Sequence, residues 1–145
     1  MKNTTTKFIF TALAYIVPTM FLGYVWHLII FEDLYNSLGI YNRTEPNIQL
    51  GFFSMILQGL IVAYLYPFYA KGNSTMTKAI VFSLTLGLFL FSVSTLANAA
   101  KIEVTSMQKW LFIQTVFHLL QFIVAGLFIG LVNRQIKEPQ ALTRA

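Results

Sequence analysis

The chain has no cysteine and little charge, and each scarcity removes a class of function. Without a thiol there is no disulfide framework, no thiolate metal site and no thiol nucleophile. The thiol-oxidising four-helix membrane enzymes are excluded with them, since their chemistry needs paired cysteines. Charged residues are only 10% of the 145, against 57% hydrophobic, and the mean hydropathy is +0.66. That lies outside the range of a soluble domain. No Asp or Glu falls within any long apolar run, so proton-coupled antiport through a buried carboxylate has nothing to work with unless a histidine takes the proton.

What fills the chain is four stretches without a Lys, Arg, Asp or Glu: 8–31, 48–70, 79–100 and 110–132. A bilayer core of about 30 Å needs roughly 20 apolar residues of helix. Backbone groups in lipid must be satisfied within their own segment, so each stretch predicts a helix rather than a strand. The expected fold is all-α, a single four-span bundle covering residues 1–145, with the last span running over about 109–133. The longest connection, 32–47, is too short for a second domain.

The net charge of +5 is a topology signal rather than a sign of nucleic acid. Lys2, Lys7, Lys71, Lys78, Arg134, Lys137 and Arg144 lie on one side. The other side holds Arg43, Lys101 and Lys109 against Glu32, Asp33, Glu45 and Glu103. By the positive-inside rule both termini are expected in the cytoplasm. The first apolar run, with Ala12-Leu13-Ala14, mimics a signal peptide, but cleavage there would leave too short an apolar region, and the span is expected to be retained. Asn42-Arg43-Thr44 and Asn73-Ser74-Thr75 have the form of glycosylation sequons and do not exceed chance.

Local punctuation agrees with four helices. Pro46 starts the second, Lys71-Gly72-Asn73-Ser74 makes a tight turn into an antiparallel hairpin, and Thr105-Ser106 offers caps for the fourth. Pro18 is expected to kink the first helix and free a carbonyl near Ala14. Tyr24, Trp26, Tyr35, Tyr41 and Trp110 toward one interface, with Tyr64, Tyr66 and Tyr69 toward the other, read as an aromatic belt. The tail after Arg134 reads as a short disordered end.

The informative residues are the polar ones within the spans. Gln114, His118 and Gln121 share a face of the fourth helix, as do Gly51, Ser54 and Gln58 of the second. Ser83, Gly87, Ser94 and Asn98 stripe the third, and Met20, Gly23 and His27 the first. Counting from span midpoints, His27, Ser54, Ser94, Asn98, Gln114 and His118 lie on the order of 5–13 Å outward of the midplane, with Gln58 and Gln121 near it. The inner half reads as aliphatic and aromatic, apart from Gly126 and Gly130. This predicts a polar pocket open to the outside above a dry plug. Such side chains also serve as packing glue, worth about 0.6 kcal/mol each, and Gly126-x-x-x-Gly130 serves either packing within the bundle or a homodimer seam.

A b-type haem between His27 and His118 needs both at one depth, and their estimated offset is roughly 8 Å. A metal site would draw on His27, Glu32, Asp33 and His118, with no helical H-x-x-x-H pair to anchor it. Serine-hydrolase chemistry lacks a nucleophile elbow and an acid near His118. No catalytic residue, metal or cofactor is predicted, and the chain is not expected to be an enzyme.

Gly23-Tyr24-Val25-Trp26-His27 followed by Phe31, Gly59 with Ala63-Tyr64, and Phe117-His118-x-x-Gln121-Phe122-x-x-x-Gly126 resemble a group of bacterial four-span proteins classed only as a domain of unknown function. There a G-x-x-W-[YH] motif ends the first helix and a histidine-containing stretch running to glycine opens the fourth. The resemblance implies this fold and a bacterial inner membrane, and no activity. It puts Trp26, His27, His118 and Gln121 at the group's recognisable positions.

The leading expectation is therefore an inner-membrane bundle that binds or passes a small molecule or lipid. Its site would be formed by His118, Gln114, Gln121, Gln58, Ser54 and Asn98, with His27 and Trp26 at the mouth. The alternatives are an accessory subunit docking other membrane proteins, and a redox module carrying haem or quinone.

Overall fold

The computed structural model describes residues 4–40, 43 and 45–134. Lys2, Tyr41, the Asn42–Thr44 sequon apart from Arg43, Lys137, Arg144 and the tail beyond Arg134 lie outside the described residues. Four helices are long and apolar enough to cross a membrane: Thr4–Ile30, Ile48–Ala70, Met76–Ala99 and Met107–Asn133. Among the described residues there is no strand. Phe21, Leu88 and Phe112 are each about 70% exposed on the outside of the bundle, a surface that suits lipid and not water. The chain is an all-α four-helix bundle of multi-pass membrane type.

The second span has the bounds expected of it because both ends are punctuated. The Asn47 side chain accepts the Leu50 amide at 3.0 Å, and at the other end Lys71 (φ 50°) and Gly72 (φ 74°) turn left-handed to stop the helix. The other spans start earlier than their apolar runs, at Thr4, Met76 and Met107, because hydropathy marks the lipid-facing length and not the first helical turn. Thr75 rather than an apolar residue caps the third, accepting the Lys78 amide at 3.2 Å. Helix one continues through Pro18 to Val25, with the Thr19 hydroxyl donating to the Tyr15 carbonyl at 2.6 Å.

Irregularity appears elsewhere, where no sequence signal announced it. The first span ends in a π-helical segment, Trp26–Ile30, and the third contains another, Ser92–Leu96. In each, an amide reaches back five residues, as Phe31 does to Trp26 at 3.1 Å.

Spans one and four form the middle of the bundle, with span two against span one and span three against span four. Spans two and three meet sparsely, close to their turn, where Tyr66 and Tyr69 each lie 5.3 Å from the Phe82 ring. Lipid gives helices no hydrophobic reason to associate, so small residues that admit close approach carry much of the packing. A Cβ on Gly126 would lie 2.7 Å from the Ile80 Cα, and one on Gly87 2.6 Å from the Phe122 ring. Gly130 likewise faces Met76 and Ala79, so the GxxxG glycines are covered by span three inside one chain.

The end bearing the Lys71–Thr75 turn, Thr4 and Arg134 (the turn end) holds a close core that includes Tyr15, Tyr66, Phe122, Ala125 and Ile129. It is not purely apolar as expected: Thr11 and Asn133 pair between spans one and four, at 2.9 Å and 3.2 Å. The opposite, loop end is closed by a short helix, Glu32–Ser37, that folds back over the bundle. Tyr35 and Leu38 are each 1% exposed, and Thr105 ties the two loops together through its hydroxyl to the Ser37 carbonyl at 2.8 Å. The aromatic belt is corrected accordingly. Trp26, Tyr35, Trp110 and Tyr66 are buried in protein, and only Tyr24, Tyr64 and Tyr69 of the described set are exposed.

Candidate ligand-binding site

A cavity of about 410 Å³ lies beneath the short helix at the loop end. Span one contributes Met20, Gly23, Tyr24, His27 and Leu28, span two Ile48, Gly51, Phe52 and Met55, and span four Trp110, Gln114 and Phe117. Tyr35 and Ile40 cover it from the loop. The two glycines hollow it out: a Cβ on Gly23 or on Gly51 would meet nothing within 4 Å. Tyr24, Ile48 and Phe52, all exposed, form a rim between spans one and two, so the cavity opens sideways, where a bilayer would lie. Among the described residues, none that lines it carries a formal charge. Size and apolar character both suit a small organic ligand.

The polar groups gather at one end of this cavity. Trp26 Nε1 donates to the Tyr35 hydroxyl at 3.3 Å, and that hydroxyl donates to Gln114 Oε1 at 3.5 Å. The His27 ring lies against Tyr35 and Phe117, with centroids 4.7 Å and 4.4 Å away. Tyr35, read from sequence as an interfacial residue of a loop, is thus a central member of the site. Its one available signal was its position a few residues past the Trp26-His27 pair, which a folded-back loop returns to the same level.

Of the eight residues expected to line one polar pocket, His27 and Gln114 line the cavity and Trp26 supports it from behind. The others are divided among separate contacts, and the expected polar wall is replaced by an apolar one. Gln58 accepts from the Tyr15 hydroxyl at 2.7 Å and donates to Ser54 at 3.0 Å, while Gln121 lies beside the same tyrosine. This chain of polar groups joins spans one, two and four at mid-depth and is packing rather than lining. Ser54 and Asn98 are exposed, and Asn98 donates to the Ser94 carbonyl of its own helix at 2.9 Å.

His118 turns away from the cavity toward span three. Its Nδ1 is 2.8 Å from the Gln114 carbonyl, which can only accept, so the proton sits on Nδ1. Its Nε2 is 3.1 Å from the Ser94 hydroxyl. The ring lines a second, smaller hollow of about 300 Å³ between spans three and four, beside Gly87, Phe91 and Phe122. Phe117 packs against both histidines, and each lines a different hollow, so the pair does not face a shared space as axial ligands of one haem would. Among the described residues no group of three His, Asp or Glu converges to hold a metal ion.

No protein-family model, no curated protein and no solved structure matches this chain.

Proposed function

We propose that this chain is a bacterial inner-membrane protein, both termini cytoplasmic, that binds a lipophilic small molecule entering sideways from the bilayer. The observation that carries the reading is the uncharged cavity of about 410 Å³, hollowed by Gly23 and Gly51 and open between the exposed rims of spans one and two. A gap between helices with no purpose would ordinarily be closed by side chains, as it is at the turn end. The cations Lys7, Lys71, Lys78 and Arg134 at the turn end, with Lys2, Lys137 and Arg144 beyond them in the sequence, support the orientation. The motifs shared with the bacterial four-span group support the membrane assigned.

The test is to extract and identify what copurifies with the protein from membranes, comparing wild type with Gly51→Leu. A leucine at Gly51 fills the cavity without touching the packed core. Wild type is expected to retain a lipophile that Gly51→Leu loses at unchanged melting temperature. Equal retention by both, or none by either alongside a copurifying membrane protein, would favour the accessory-subunit reading instead.

A further inference from the structure

Gln114 carries more information than a polar residue at a cavity wall usually does. It is 7% exposed, and the direction of its contacts can be worked out from chemistry. Indole nitrogen donates only, so at the 3.3 Å Trp26 contact the Tyr35 oxygen is the acceptor. The tyrosine proton is then available to Gln114, and the amide atom receiving it, 3.5 Å away, has to be the carbonyl oxygen. This fixes the amide: Gln114 Nε2 is the end left over. Among the described residues, nothing accepts from it. An N–H that lines an apolar cavity at membrane depth gains by meeting an acceptor there.

The same wall says what cannot supply that acceptor. Among the described residues, the cavity lining has no Lys or Arg to meet a phosphate and no Asp or Glu to meet an amine. A charged head brought here would be desolvated without a partner. Resting on the proposed lipophile-binding reading, we infer that the ligand is a neutral single-chain amphiphile. Its carbonyl or hydroxyl oxygen accepts from Gln114 beside His27, and its hydrocarbon tail leaves the cavity between Tyr24 and Phe52 into the bilayer. The site selects by hydrogen bonding at the closed end and by absence of charge throughout.

The experiment uses full-length protein in nanodiscs and four diazirine-tailed probes of equal chain length: a long-chain alcohol, a methyl ester, a headless alkane and a phosphatidylcholine. Crosslinked peptides are mapped by mass spectrometry. Alcohol and ester are expected to label the rim of spans one and two more efficiently than the alkane by about three- to tenfold, the yield of one net neutral hydrogen bond. Phosphatidylcholine should label only outward-facing positions. Gln114→Leu, which keeps the volume and removes the donor, should erase the preference for alcohol and ester while leaving alkane labelling as it was. The wild-type comparison decides the matter even if that variant misfolds: no preference over the alkane overturns the inference. Cavity labelling by phosphatidylcholine equal to that by the alcohol overturns the neutral-head assignment and leaves the cavity reading standing. No cavity labelling by any probe overturns both.

Discussion

Two glycines in this bundle face opposite surroundings, and the same one-methyl substitution at each should give opposite results. At Gly126 an added Cβ meets only backbone: the Ile80 Cα at 2.7 Å, the Ala79 carbonyl oxygen at 3.2 Å and the Ile80 nitrogen at 3.2 Å. None of these atoms can rotate aside, so spans three and four must move apart. Overpacking of this kind costs about 1–3 kcal/mol. Alanine recovers some of that, since it is favoured over glycine within a helix by roughly 0.5–1 kcal/mol. The net expectation for Gly126→Ala is a loss of about 1–2 kcal/mol, or roughly 5- to 30-fold in the folded-to-unfolded ratio. At Gly23 a Cβ meets nothing within 4 Å, so Gly23→Ala retains only the helical gain and should be neutral or stabilising by up to about 1 kcal/mol. Gly130→Ala should lie between, because the nearest atom, at 2.6 Å, is the mobile Met76 sulfur. Unfolding in mixed micelles by SDS titration, followed by far-ultraviolet circular dichroism, measures all three on one scale. Equal stability of Gly126→Ala and Gly23→Ala would refute the packing of spans three and four described above.

Other consequences are checked with similarly small changes. The Thr11–Asn133 pair should show a coupling near the membrane average of about 0.6 kcal/mol, with about 1.7 as the ceiling, in a Thr11→Val, Asn133→Leu double-mutant cycle. Zero coupling would mean that spans one and four do not meet at that level. The absence of native cysteine makes single-cysteine labelling clean. In the proposed orientation, a membrane-impermeant maleimide applied to intact cells should modify Lys101→Cys and spare Asn73→Cys, both at exposed positions. The reverse pattern would invert the proposed orientation.

The spans were legible because lipid leaves so few options. Any run of this length without charge has to be helix, and where caps were also present, as at Asn47 and Lys71, the ends followed too. The site was legible only in part, and the fourth span shows why. Gln114, His118 and Gln121 look like one face, yet at 3.6 residues per turn His118 is rotated by about 40° from Gln114 in one sense and Gln121 by about 20° in the other. In a bundle where span four has neighbours on both flanks, that rotation is enough to send His118 to Ser94 of span three and Gln121 to Tyr15 of span one. Tyr15 itself offered no warning, being an aromatic residue within an apolar run. The π-helical segments and the folded-back Glu32–Ser37 helix depend on tertiary contacts of Trp26, Tyr35 and Trp110, which no local pattern encodes.

The cavity follows from how differently the two ends of the bundle are joined. At the turn end, spans two and three are joined through the few residues 71–75, and Gly126 and Gly130 let span three lie directly on span four. Span three meets the backbone of span four there, and the Tyr66 and Phe82 rings fill the space between spans two and three. At the loop end the connection 32–47 is long enough to send a helix back inside, and Trp26, Tyr35, Trp110 and Phe117 stand between the spans as a wedge of rings. Helices held together at one end and wedged at the other diverge, and the gap lies between spans one, two and four at the loop end. Larger residues at positions 23 and 51 would close that gap at no cost to the core. Glycine stands at both, within helices where alanine would be more stable. A bundle selected for stability alone would not keep that combination, whereas one that must leave room for a ligand would.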